Sequence, residues 1–258
     1  MTANPHEYNL NPRILLHNRF STNKTNWFRW IFDLMDVHDN DRILEVGAGN
    51  GEMWVKNNDR IPHGASVLVS DISEEFLEQS QSRISNDGGF FEFEIIDVHG
   101  IRYPDASFDK ILANTMLYHC DYIDTALQQI SRVLKKGGCF YTTTSGLDHL
   151  SELKELVMEF DPDIVFPLNG ENRKFCLENG HGILSPYFND IKCIVFDNAL
   201  KIDDIDFLHS FILTFRDDKT HNITPIVDNP DGFKRFLASK MRAGYIEITK
   251  SNCIFIAS

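Results

Sequence analysis

The segment Ile43-Leu44-Glu45-Val46-Gly47-Ala48-Gly49-Asn50-Gly51 joins an apolar run to three closely spaced glycines. Glycine turns tightly and lets a ligand approach the backbone, so a strand entering such a loop and a helix leaving it form a nucleotide-type binding arrangement. A second apolar run, Ser66 to Ser70, ends in Asp71, and a carboxylate there can take two hydrogen bonds from ribose hydroxyls. The glycine spacing is not that of a dinucleotide site, because Glu52 stands where the third glycine of that fingerprint belongs. Glu45 precedes the loop, and two carboxylates are unfavourable beside a pyrophosphate. They suit a cationic ligand that carries a ribose and no phosphate.

Other chemistry-bearing residues cluster further along. His119 follows the apolar run Phe108–Asn114, in Met-Leu-Tyr-His. Imidazole exchanges protons near neutral pH as a residue type, which makes His119 the best base candidate and Tyr118 a weaker one. Arg19, in His-Asn-Arg-Phe-Ser-Thr-Asn, can pair with a ligand carboxylate. Phe20, Trp27 and Trp30 can wall an aromatic pocket, although the helical spacing of the two tryptophans favours core packing. His6, His17, His149 and His181 show no metal-ligand spacing, and the five cysteines include no CxxC pair. Cys139, Cys193 and Cys253 fall in apolar runs and read as buried thiols.

These residues need a scaffold, and the pattern predicts one. Short buried strands are expected at 42–46, 66–70, 90–96, 108–114 and 139–145. Helices are expected between them: one over 24–36 capped by Asn23, one capped by Ser73 and carrying Phe76, Leu77 and Ser80, and one capped by Asp121. Lys135-Lys136-Gly137-Gly138 reads as the stop of the last of these. Such alternation argues for a parallel sheet covered on both faces. The second half is less regular. Pro162, Pro167, Gly170, Gly180, Gly182 and Pro186 break it into turns. Beyond them come a helix with Ile205, Leu208, Ile212 and Phe215, another with Phe233, Phe236, Leu237 and Met241, and strands within 191–202 and at 253–257.

Motifs in this order resemble the class I S-adenosylmethionine (SAM)-dependent methyltransferases, in particular the small-molecule "type 11" group. The matching segments are the glycine loop, Asp71, Asp97-Val98, PDASFDKILANTMLYH at 104–119 and RVLKKGGCFYTTT at 132–144. The resemblance implies an α/β, Rossmann-like fold with a mostly parallel seven-stranded sheet and helices on both faces. It implies one domain over 1–258, with an N-terminal cap over 1–40, a SAM-binding core over 41–146, and a C-terminal part over 147–258 that brings lid insertions and the last two strands. It further implies that Gly47, Ala48, Gly49, Asn50 and Gly51 line the methionine portion of SAM, with Glu45 near the ammonium and Arg19 available to the carboxylate. Asp71 would hold the ribose, Ile72 would pack on adenine, Asp97 would accept from the adenine amine through its side chain, and Val98 would contact a ring nitrogen through its backbone amide. Asn114 would offer its carbonyl to the ammonium. The residues themselves carry a separate expectation: 12–36, with an amphipathic helix bearing Trp27, Trp30 and Ile31, should fold over the ligand and order when it binds. Asp97 is followed by Val-His-Gly-Ile-Arg, where the group carries a small acidic stretch before Leu-Pro.

The expected activity is methyl transfer from SAM to a small-molecule acceptor by in-line displacement, with S-adenosylhomocysteine as product. A catalytically silent SAM-binding regulator and an NAD-dependent oxidoreductase are the other readings of the same loop. With 25 Lys and Arg against 38 Asp and Glu, the formal charge of -13 disfavours nucleic acid as a partner. No apolar stretch approaches the roughly 20 residues that span a bilayer, and the N-terminus lacks the order of a signal peptide, so a cytoplasmic protein is expected. The acceptor and the oligomeric state are not written in these residues.

Overall fold

A computed structural model describes residues 12–164, 171–214 and 223–258. Pro167, Gly170, Phe215 and the first eleven residues, His6 among them, lie outside the described residues. In chain order the elements are α1 (Pro12–Phe20), α2 (Trp27–Met35), β1 (Arg42–Val46), α3 (Glu52–Val55), β2 (Ser66–Asp71), α4 (Glu74–Arg83), β3 (Phe91–Ile95), β4 (Phe108–Asn114), α5 (Ile123–Val133) and β5 (Leu134–Ser145). They continue with α6 (Ser151–Phe160), α7 (Gly180–Leu184), β6 (Ile191–Ile202), α8 (Ile205–Leu213), α9 (Thr224–Asp228), α10 (Pro230–Lys240) and β7 (Ile246–Ala257).

The strands form one seven-stranded sheet in the order β3-β2-β1-β4-β5-β7-β6. Neighbours from β3 to β5 pair in parallel, and β7 pairs with β5 antiparallel, with Thr143 opposite Ile254. Parallel strands are buried on both faces, and β1 and β2 accordingly bury all but their first residue. Successive side chains alternate between faces. Leu44, Val46, Ile111, Ala113 and Phe140 join one core with Leu127 and Ile130 of α5. Ile43, Val67, Val69, Leu112 and Tyr141 join the opposite core with Ile31 and Met35 of α2 and Trp54 of α3. Each fully buried aliphatic contributes about 1.5–3 kcal/mol, which fixes strand register, since a slip of one residue would exchange the faces.

The chain divides into two compact units. One comprises 25–146, 171–196 and 252–258 and holds both of these cores. The other comprises the described parts of 1–24, 147–170 and 197–251. Its own core gathers Leu16, Phe20, Leu153, Val157, Leu208, Ile212, Phe233 and Leu237.

Several local expectations need correction. Helix α2 is capped by Asn26, whose side chain accepts from Phe28 N and Arg29 N, and not by Asn23. Asn23 instead bonds to Asp197 and Asn198. Helix α5 starts behind Tyr122 without a side-chain cap, so Asp121 does not cap it. Lys135 to Gly138 belong to β5 rather than to a helix stop. Gly138 has a different reason to be there: a Cβ on it would sit 2.6 Å from the Asp109 carbonyl oxygen, where β4 and β5 shift register. In α4, Leu77 and Ser80 are buried, while Phe76 is 47% exposed. Cys253 is buried as expected, Cys139 is half-buried and Cys193 is exposed. Among the described residues no helix is long and apolar enough to cross a membrane, and no group of three His, Cys, Asp or Glu could hold a metal ion.

Candidate functional site

At the carboxyl ends of β1, β2 and β4 lies a cavity of about 540 Å³. Open α/β sheets bind ligands at this edge, where the strand order reverses. Here the reversal falls between β1 and β4, the first two neighbours whose helices must lie on opposite faces.

The glycine loop forms the floor. Gly47, Gly49 and Gly51 have φ of 70°, 55° and 72°, all in the left-handed region that side chains avoid. A Cβ on Gly47 would lie 2.3 Å from Met116 Cγ, and one on Gly51 would lie 2.8 Å from Ile84 Cδ1. Nothing lies within 4 Å of a Cβ on Gly49, because that position faces open space, and Gly49 lines the cavity.

Hydrogen bonds hold the loop in shape. Ala48 N donates to Ser70 O at 2.9 Å, and Ser80 Oγ donates to Gly49 O at 2.7 Å. Arg83 donates to Asn50 O at 2.7 Å and pairs with Glu52, which Lys56 also approaches at 3.3 Å. Asp71 is only 7% exposed. Its Oδ2 accepts from Gly49 N at 2.8 Å and its Oδ1 from Ser73 N at 2.9 Å. One carboxylate thus ties the glycine loop to the turn that starts α4.

Behind β3, Asp97 caps a short 3-10 turn over Val98–Gly100 and accepts from His99 N at 2.9 Å. The His99 ring nitrogen Nδ1 lies 2.7 Å from the same oxygen. The His99 backbone N–H, opposed by burial and helped by the His99 ring, holds the Asp97 carboxyl below its usual range. After β4, Thr143 Oγ1 donates to Asn114 Oδ1 at 2.6 Å and accepts from Thr115 N at 2.9 Å. Thr115 has a φ of 53°, rare for a residue other than glycine, and the strain sits at the cavity wall.

Of the residues singled out from sequence, the cavity brings together Gly47, Ala48, Gly49, Asn50, Asp71, Ile72, Asp97, Val98, Asn114 and His119. Gly51 supports the loop from behind as the N-cap residue of α3. Arg19 belongs to the other compact unit, where it pairs with Asp204 at 3.0 Å and lies over the rings of Phe20 and Phe207. Trp27 and Trp30 stack on each other and pack on Phe196, while Phe28, next along the same helix, lines the cavity. Tyr118 packs against the core, its ring 4.3 Å from that of His119. Sequence reasoning also missed His99, Thr115, Met116 and Cys120 on the wall. His99 carried a readable signal, since it stands in the stretch that departs from the resembled group.

Glu45 is 1% exposed and off the cavity wall. Strand alternation places it on the Ile43 face, where Trp54 Nε1 donates to its Oε2 at 2.6 Å. Burial pushes its carboxyl up to about 8; the indole bond opposes this and the Asp71 charge adds to it. A carboxyl raised on folding binds a proton in the native state that the unfolded chain has released. Stability from this group is therefore full below about pH 4.5 and falls as pH rises towards 8. Glu45→Gln keeps the acceptor for Trp54 and removes the titration. Its stability relative to the wild type should rise by up to about 1.4 kcal/mol per pH unit across that window, read by urea unfolding at pH 5.5 and 7.5. A constant difference would mean that Glu45 ionises alike in both states.

Comparison with known proteins agrees with this geometry. The family described as "Methyltransferase domain", type 11, matches residues 44–142. The ubiquinone/menaquinone biosynthesis C-methyltransferase UbiE of Hydrogenovibrio crunogenus is 28% identical over 114 residues, covering 43% of this chain and 45% of that protein. The match therefore spans about half the length of such relatives. Among solved structures, YcgJ of Bacillus subtilis aligns with a TM-score of 0.56 at 16% identity, over 89% of this chain and 95% of that one. The phosphoethanolamine N-methyltransferase 2 of Haemonchus contortus, in complex with phosphomonomethylethanolamine and S-adenosylhomocysteine, aligns with a TM-score of 0.54 at 16% identity, over 91% and 53%. With the strand order and the motifs at the carboxyl edge of the sheet, the chain has the Rossmann-like fold of the class I methyltransferases, and residues 44–142 match the family's methyltransferase domain.

Proposed function

We propose that the cavity binds SAM and that the protein transfers its methyl group to a small-molecule acceptor by in-line displacement. The observation that carries this reading is the cavity's charge. Among the described residues its lining includes Asp71 and Asp97, together with Glu52 and Asp121, which pair with Arg83 and Lys174, and it includes no lysine or arginine. Such a wall suits a cation and repels phosphates. The open face of Gly49 leaves room against the backbone, and the ends of β2 and β3 offer carboxylates to a ribose and a base. When bound, SAM supplies a methyl group made electrophilic by its sulfonium.

The protein's own residues then have separable tasks. Asp71 holds the ribose while it fixes the loop. Ile72, 67% exposed, and Phe76 give apolar surface to the base. Phe28 and Met116 exclude water from the wall they share, which strengthens electrostatic contacts inside. His119 closes the short turn after β4 and takes the acceptor's proton where the nucleophile is protonated. Names among the relatives favour an acceptor methylated on carbon, as in a quinone precursor ring, over other small molecules.

The test uses the full chain with methyl-labelled SAM, an extract of small metabolites, and defined phenols, hydroquinones and amines. Label should enter the low-mass fraction. His119→Gln should keep S-adenosylhomocysteine affinity within about threefold while slowing transfer about 10²-fold. Binding without transfer to any acceptor would leave a silent SAM-binding protein and overturn the enzymatic reading.

A further inference from the structure

The Asp97 carboxylate is unusual in how its two oxygens are used. A turn cap needs one bond, and His99 N supplies it to Oδ1 at 2.9 Å. The His99 ring adds a second contact to the same oxygen, with Nδ1 at 2.7 Å. Because a carboxylate only accepts, Nδ1 carries the proton of this bond. Both donors converge on Oδ1, so rotation of a carboxylate that is 53% exposed is arrested. Among the described residues Oδ2 accepts no hydrogen bond, and Asp97 lines the cavity.

The ring that does this is itself held. It stands edge-on to Tyr122, with centroids 6.2 Å apart and planes at 81°. Its Nε2 is buried without a partner among the described residues. A side chain placed only to fill space would not need a 2.7 Å bond to a cavity carboxylate. The cost of an unpaired buried nitrogen makes sense where the other nitrogen performs a task.

We propose that His99 is a positioning residue for the nucleobase: it locks Asp97 so that Oδ2 alone reads the exocyclic amine of a 6-aminopurine. This rests on the SAM reading of the cavity and adds what sets its base selectivity. A 6-oxopurine would present a second acceptor to Oδ2, and a site built to receive an N–H rejects a ligand lacking it. The locked geometry also dictates what an amide would do at position 97. Two donors on one side force the carbonyl oxygen of an asparagine to that side, which leaves its NH₂ where Oδ2 was. The amide then donates, and it prefers the 6-oxo base.

Calorimetry of the full chain with S-adenosylhomocysteine and S-inosylhomocysteine tests this. The wild type should favour the adenosyl compound about 100-fold, and Asp97→Asn should invert the preference. His99→Ala should cut the ratio to about fivefold or less. His99→Asn, whose Nδ2 can take the place of Nδ1, should keep the ratio within about threefold of the wild type. Equal weakening of both ligands in His99→Ala, or an unchanged ratio, would mean that His99 only shapes the loop, and it would overturn the proposal while SAM binding stands. Failure of the wild type to bind either ligand would overturn the SAM reading and this inference with it. Should His99→Ala not fold, the inversion in Asp97→Asn decides: no inversion in a folded variant overturns the proposal.

Discussion

Asp71→Ala is expected to weaken S-adenosylhomocysteine binding about 10- to 150-fold, a loss of roughly 1.5–3 kcal/mol from two charge-assisted hydrogen bonds to the ribose. The same change releases Gly49 N and Ser73 N, each of which now donates to a separate oxygen of this side chain. The glycine loop therefore loosens before any ligand arrives, and urea unfolding should show a loss of about 1–2 kcal/mol. Asparagine is not a mild replacement here. Its amide has one acceptor oxygen for two N–H donors, so one of them would meet an NH₂ group. Asp71→Asn is expected to fall close to Asp71→Ala in calorimetry, and an affinity unchanged in both would remove Asp71 from the binding site.

Gly49→Val is expected to reduce the same affinity by more than about 100-fold while the protein stays folded. Two effects combine. The backbone at position 49 has a φ of 55°, which costs a β-branched residue about 1–2 kcal/mol. The new side chain also projects into space where no described protein atom lies within 4 Å and that the ligand would occupy. The two effects are separable. Gly89 has a φ of 68°, equally open surroundings and no place on the cavity wall. Gly89→Val should therefore show the strain in thermal unfolding and leave ligand affinity within about twofold. Normal binding by a natively folded Gly49→Val would mean that the loop does not face the ligand.

Much of this site was legible because its signals are local. A glycine at positive φ, a carboxylate at the end of a buried strand and a serine cap are fixed by neighbours in sequence, and Gly47, Asp71 and Ser73 were found on that basis. The misreadings arose where distant chain decides. Asn23 and Asn26 offer the same cap chemistry, and only the bonds of Asn23 to Asp197 and Asn198 separate them. Lys135 to Gly138 look like a helix stop until β4 is brought alongside and draws them into β5. Glu45 was within reach of sequence reasoning, since the two-residue period of β1 already put it on the Ile43 face and away from the loop's open side. Phe28 was not, because helical spacing alone gives no reason to prefer it to Trp27 or Trp30 for the cavity.

The central claim is that this cavity holds SAM. Amide hydrogen exchange of the full chain, with and without saturating S-adenosylhomocysteine, tests both the binding and its place. With SAM bound in the cavity, exchange should slow in 47–53, 71–76, 97–100 and 114–121, the segments that line it. Unchanged exchange throughout, or protection confined to segments that do not line it, would contradict the account.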